Sequence, residues 1–328
     1  MPQPARLPAA VGLPLALAAG MAIPAQARVN GELGVALDDS LAAALVSFGV
    51  GLAVMIVVSA ILPRGRAGVA QILPSLRERR FPRIYILAGV IGAWFVLTQT
   101  LTIAVLGVAV FTVATVAGQT LTGLVVDRMG IGPGGKKALT IMRVVGAVLT
   151  IAAVAWAVSP KLAGTGGTGD WLLAVLLPLS AGMAMSFQQA MNGTTGMHYG
   201  SPITATLLNF VSGFAALLAV WLVKVALSGT GNPPPDTWWY YLGGPLGCIF
   251  IGVGAMLVKT LGVLLTSLGL IGGQLIGSLL LDVFFPAPGS VVVAATVLGT
   301  ALTLAAIVVA TLPWNMPGVR LPGSRRRP

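Results

Sequence analysis

Six carboxamides stand at spacings that can bind a polar solute inside an otherwise apolar chain. Gln26 and Asn30 are four residues apart, as are Gln188 and Asn192, so each pair shares one face of a helix. Gln119 and Gln274 each follow a glycine, while Ser47 and Asn209 are polar at corresponding points of two other apolar segments. An amide among aliphatic side chains costs free energy unless something hydrogen-bonds it, so it belongs on the inward face of a helix bundle. Two readings stand for these residues. One is hydrogen bonding between helices, worth about 0.6–2 kcal/mol per contact; the other is the lining of a polar cavity. The cavity is favoured for Gln119 and Gln274, where several amides converge at related positions. Trp94, Thr98, Gln99 and Lys259 are further candidates for a pocket, although Lys259 sits in a short connection where a snorkelling side chain would mark topology.

Reaction chemistry has little to build on. The chain has one histidine, His198, in a loop, and one cysteine, Cys248, inside an apolar run. No disulfide framework, metal cluster or nucleophile–base pair can be assembled from them, and no cofactor or metal is expected. The acidic residues Glu32, Asp38, Asp39, Glu78, Asp127, Asp170, Asp236 and Asp282 fall in loops or at helix ends. Asp127 and Asp282 alone are matched positions and are the candidates for ion coupling, with plain helix-end residues the preferred reading. Gly130-Ile-Gly-Pro-Gly-Gly-Lys-Lys137 resembles a phosphate loop, but it follows an apolar span instead of a strand and reads as a cytoplasmic loop.

The elements that carry these residues are membrane helices. Of 328 residues, 56% are apolar and 8% charged, far from the roughly 25% charged of soluble domains. Charge-free runs long enough to span a bilayer recur without period-2 alternation, which excludes a barrel. Ten spans are expected, at 8–29, 41–62, 84–104, 106–126, 138–158, 171–193, 203–225, 239–257, 262–283 and 289–311. The net charge of +11 is a topology signal, since no soluble basic face with aromatics offers itself to nucleic acid. The 63–83 segment reads as an interfacial loop with an apolar patch (Ile72, Leu73, Leu76, Phe81) and arginines against anionic headgroups. Trp238, Trp239, Tyr240 and Tyr241 follow the stiff turn Asn232–Asp236 and read as an interfacial belt.

The chain is also duplicated. Leu17–Gly31 and Leu179–Gly193 match at eight of fifteen positions without a gap, against roughly one or two by chance. Matching continues through Phe48 with Phe210, Gly89 with Gly244, Gly92 with Gly247, Gly118-Gln119 with Gly273-Gln274, and Asp127 with Asp282. Arg6 followed by an apolar stretch and Ala25-Gln26-Ala27 looks like a signal peptide, yet the same pattern recurs mid-chain, so a retained first helix is expected. The expected organisation is a first five-helix repeat (1–158), a linker (159–170), a second repeat (171–312) and a basic tail (313–328). With both termini cytoplasmic, sixteen Lys and Arg lie inside and only Arg28, Lys161 and Lys224 outside. An odd number of helices per repeat inverts the second repeat in the membrane, the plan of an alternating-access carrier.

Ten helices in two inverted five-helix repeats resemble the drug/metabolite transporter superfamily. The G-M-x-x-x-x-Q-x-x-x-N-G pattern at 20–31 and 182–193, with Gly118-Gln119 and Gly273-Gln274 followed by Asp127 and Asp282, resembles its YdcZ-like branch. That resemblance implies a plasma-membrane carrier of small organic solutes, usually an exporter, with its cavity between the repeats. The chain departs from the related small multidrug exporters in lacking their membrane-embedded glutamate. We therefore expect an all-α membrane transporter of a small polar or zwitterionic metabolite, not an enzyme, binding through Gln26, Asn30, Gln119, Gln188, Asn192, Gln274, Trp94, Gln99 and Asn209. The third, fourth, eighth and ninth helices, with the first and sixth, would line the path. A channel or a non-transporting assembly partner is the alternative. Expected partners are the small-molecule substrate and anionic lipids at the cytoplasmic face, with no nucleic acid, the protein being a monomer or homodimer.

Overall fold

The structure is a computed structural model that describes residues 9–132, 135–136, 141–162, 168–261, 263–286 and 294–311. The centre of the linker (163–167), the basic tail (313–328), part of the Gly130–Lys137 loop and the Lys259 side chain lie outside the described residues.

The protein is an all-α membrane protein, with no strand among the described residues. α1 (Ala9–Gly20) and α2 (Ala22–Leu37) run on through Met21, which keeps helical angles (φ −65°, ψ −16°). The ladder loosens there because Pro24 has no N–H for the Gly20 carbonyl. The first span therefore continues to Leu37, about two turns beyond its expected end. α3 (Ser40–Ile61) begins at Asp39, whose carboxylate accepts the Ala42 N–H at 3.0 Å, satisfying one of the orphan donors of a helix start.

The 63–83 segment, expected as a loop, is largely helical, folding into α4 (Pro63–Ala70) and α5 (Ile72–Arg77). Its apolar patch is divided. Phe81 is buried against Tyr199 and Ala205, with Ile72 and Leu76 packed on the same cluster, whereas Leu73 stays exposed. Protein surface was available to these side chains at the 199–205 connection, so they cover it instead of lipid.

α6 (Ala88–Leu106) and α7 (Val108–Met129) are separated by Gly107 alone, at φ 78°, a left-handed conformation that glycine takes without a Cβ clash. α8 (Ile141–Leu162) completes the first repeat. α9 (Thr168–His198), α10 (Pro202–Ser228), α11 (Gly243–Leu261), α12 (Val263–Phe284) and α13 (Ala294–Thr311) form the second. Five described helical stretches are long and apolar enough to cross a membrane: Ser40–Ile61, Arg83–Leu106, Val108–Met129, Leu172–His198 and Pro202–Ser228. α8 and α9 each run into the expected linker, to Leu162 and from Thr168.

The repeats are interleaved. α1 packs along α12, α9 packs along α7, and α8 lies against α13. The closest points are glycines: Gly118 faces the Leu179 carbonyl and Gly182 that of Thr115, while Gly273 faces the Leu17 carbonyl and Gly20 that of Leu270. The second pair of contacts reproduces the first through the sequence repeat. Nearer the middle, Phe48 rests on Gly213 and Phe210 on Gly51, with the two rings 5.2 Å apart between centroids. Small residues at these points let backbones approach closely, where dispersion and close packing hold membrane helices together.

Candidate substrate-binding site

Two clusters of amides form where the repeats meet. In the first, the Asn30 Nδ2 donates to Gln99 Oε1 at 2.8 Å, linking α2 to α6, and neither residue is exposed. Ser47 of α3 lies beside them, and Gln26, one turn before Asn30, is also buried. α11 closes over this group: a Cβ on Gly243 would strike Asn30 Oδ1 and Ser47 Oγ, and one on Gly247 would sit 2.9 Å from Gln26 Nε2. Asn30 Oδ1, Gln99 Nε2 and Ser47 Oγ are buried without a hydrogen-bond partner. An unmet buried donor or acceptor costs about 1–3 kcal/mol, so this group has both a donor and an acceptor to offer a polar guest.

The second cluster is its counterpart. Gln188 Nε2 donates to Asn209 Oδ1 at 2.8 Å, and Asn192 Nδ2 donates to the same oxygen at 3.1 Å, joining α9 to α10. Gly92 of α6 closes over it, since a Cβ there would lie 2.5 Å from Gln188 Nε2. The neighbouring Gln189 points away and is exposed. Each cluster therefore holds three amides beneath a glycine of the other repeat. The third amide is Gln99 of α6 in one and Asn209 of α10 in the other, so the repeat preserves the composition of the group and not every position in it.

The remaining candidates lie elsewhere. Gln119 is half-buried and Gln274 is buried, and their side chains have no hydrogen-bond partner among the described residues. They stand next to Gly118 and Gly273, at the two interleaved contacts. Trp94 is partly exposed and donates its Nε1–H to Ser180 Oγ at 3.2 Å, away from both clusters. Thr98 turns its hydroxyl to the Phe95 carbonyl of its own helix. Asp282 is buried, and its carboxylate accepts the Val108 N–H at 2.9 Å and the Ala109 N–H at 2.7 Å. It thus caps α7 from another helix and faces the positive end of the α7 dipole. Asp127, at the matched end of α7, is half-buried.

This glycine-and-amide pattern has relatives. The family model described as "Putative inner membrane exporter, YdcZ" matches residues 11–156 and 173–309, one segment for each repeat. The chain belongs to the YdcZ family. A solved structure described only as a crystal structure of protein is similar over 91% of this YdcZ-family chain and 96% of its own length, with a TM-score of 0.52 and 18% identity; at that identity the likeness concerns the fold. None of the curated proteins matches.

Two groups in this YdcZ-family protein escaped the sequence reading. Asp39 is buried, forms an ion pair with Lys224 at 3.0 Å and accepts the Trp221 Nε1–H at 3.2 Å. Burial pushes its pKa upward, but the Ala42 N–H, Lys224 and Trp221 outweigh that and hold it below the ordinary carboxylate value. The second group is a cavity of about 380 Å³ beside Arg28 and Glu32, between α2, the end of α6 and Tyr240. The signal for it was Arg28 itself, one of three basic residues expected on the sparsely charged side. Tyr240 accordingly turns inward onto Leu33, Leu37 and Ala43 while Trp238 and Trp239 stay exposed.

Proposed function

We propose that this YdcZ-family protein is a secondary carrier that exports a small polar or zwitterionic organic solute across the inner membrane by alternating access, with both termini cytoplasmic. The observation that carries the reading is the pair of repeat-related amide clusters, each closed by a glycine of the opposite repeat. A site built twice in opposite senses can open to either side when one repeat rocks against the other. The unpaired Asn30 Oδ1, Gln99 Nε2 and Ser47 Oγ supply hydrogen bonds that an uncharged or internally neutral guest satisfies without importing net charge. α6 and α11 carry the glycines, so a small sliding movement of either helix exposes the amides beneath. Gln26, Gln119, Gln188, Asn192 and Gln274 would then contribute as the site opens, while Asp282 is committed to capping α7.

The test is flux through reconstituted protein. Solid-supported-membrane currents, with radiolabel uptake for silent exchange, are measured for amino acids, amines, nucleosides and quaternary ammonium compounds, with and without a pH gradient. Saturable uptake that is accelerated by solute on the opposite side is expected of a carrier. Unsaturable flux would identify a channel, and silence across the panel a non-transporting assembly partner; either result sinks the proposal.

A further inference from the structure

Arg28 lies within α2, and its Nη2 pairs with Glu32 Oε1 at 2.7 Å and donates to the Pro286 carbonyl at 3.3 Å. Its Nη1 is buried with no partner. Both members of the pair line the 380 Å³ cavity together with Ala36, Ile103, Tyr240 and Pro286, which is at the small end of ligand cavities, roughly 300–1,000 Å³. The floor lies beside the first amide cluster. Gly31, next to Asn30, packs on Ile103, which stands one turn beyond Gln99.

We infer that Arg28 and Glu32 form an entry or exit site for a small zwitterion, whose carboxylate takes the guanidinium and whose ammonium takes the Glu32 carboxylate. The inference rests on the carrier reading above for its role in transport, and on charge balance for its specificity. A net anion would engage Arg28 and leave Glu32 without its partner, and a net cation would do the reverse. Separating one member of a partly buried pair from its partner is strongly unfavourable. A guest that carries both charges opens the pair and replaces both halves. The unpartnered Nη1 gives the guanidinium capacity for a second bond to a carboxylate, the bidentate geometry it prefers. The Tyr240 ring on the cavity wall suits the ammonium end, including a methylated one. A simple helix-surface pair at i and i+4 would need neither the cavity nor the orphaned nitrogen.

Binding is measured by tryptophan fluorescence, since Trp239 lies 6.1 Å from Tyr240 between ring centroids. The protein is placed in phosphatidylglycerol nanodiscs and titrated with alanine, glycine betaine, acetate and methylammonium. A saturable response to alanine or betaine is expected, at least tenfold tighter than to acetate or methylammonium. Glu32→Gln should lose the zwitterion tenfold and gain acetate, while Arg28→Gln should lose both. Glu32→Asp, giving a single size-exclusion peak, should stay within about threefold of the parent, while Arg28→Lys, which keeps the charge and loses the fork, should fall between the parent and Arg28→Gln. Repeating the titration in phosphatidylethanolamine tells the source of the zwitterion: tenfold competition assigns the site to a lipid headgroup, and no change assigns it to a free solute. No saturable response to either zwitterion, or parent-like binding in both glutamine variants, overturns the inference. Binding without flux would sink the carrier reading alone, and flux with parent-like binding in both glutamine variants would sink this site alone.

Discussion

Asn30 and Gln99 spend one hydrogen bond on each other and leave two fully buried polar atoms unmet, whereas Gln188, Asn192 and Asn209 leave none that is both fully buried and unmet. The first cluster should therefore dominate recognition. Asn30→Ala is expected to cut uptake at least tenfold, and Gly243→Ala should do the same by forcing a methyl group onto Asn30 Oδ1. Initial-rate uptake in proteoliposomes checks both, and an unchanged rate in both would remove this cluster from the path. A different residue carries pH dependence. Because the Asp39 pKa is lowered on folding, its contribution is complete above the unfolded value and is lost as pH falls through the folded one. Asp39→Asn, which keeps an oxygen for the Ala42 N–H but loses the charge that pairs with Lys224, should cost about 1–2 kcal/mol at pH 7, in line with the loss of a charged hydrogen-bond partner. The gap between variant and parent should shrink in thermal melts taken at pH 3; a gap that widens would contradict the assignment.

The α6–α7 break shows how a single carboxylate can position an element. Asp282 meets the first two N–H groups of α7 and so replaces the usual side-chain cap that Gly107 cannot supply. Asp282→Leu should destabilise the detergent-solubilised protein by about 1–2 kcal/mol, with faster amide exchange confined first to the start of α7. Asp282→Asn, which still accepts a hydrogen bond, should cost less. The glycine contacts make a paired prediction: Gly118→Leu and Gly273→Leu should lower the melting temperature to a similar extent, because each intrudes on the same kind of carbonyl. Much of this was legible from spacing. The i, i+4 amides, the repeat and the run of apolar spans follow from residue order, and the helices appear where those signals lie. The partners do not. Nothing local in the sequence distinguishes Gln99 as the mate of Asn30, or leaves Gln119 and Gln274 without a side-chain hydrogen bond among the described residues, since those outcomes depend on which helices cross. In 63–83 the apolar residues were visible, and the protein surface that Phe81, Ile72 and Leu76 cover was not.

At the scale of the whole molecule, neither repeat is a closed unit. The first helix of each lies against the fourth helix of the other, and the last helices of the two run together. Cysteine accessibility is the direct check on their opposed orientation: in a Cys248→Ser background, Arg66→Cys should be labelled only from the cytoplasm and Ser228→Cys only from the far side. This interleaving also has a consequence for biosynthesis. Gly20 meets a carbonyl that emerges about 250 residues later, at Leu270. At roughly 5–20 residues per second, the nascent first helix waits on the order of ten to fifty seconds in the membrane before its partner exists. Its buried face is apolar enough to remain in lipid meanwhile, but Gln26 and Asn30 are not, and a ribosome stalled before α11 leaves both amides without the helix that covers them. Truncated chains ending in the linker should therefore be cleared by membrane proteases far faster than the full-length chain.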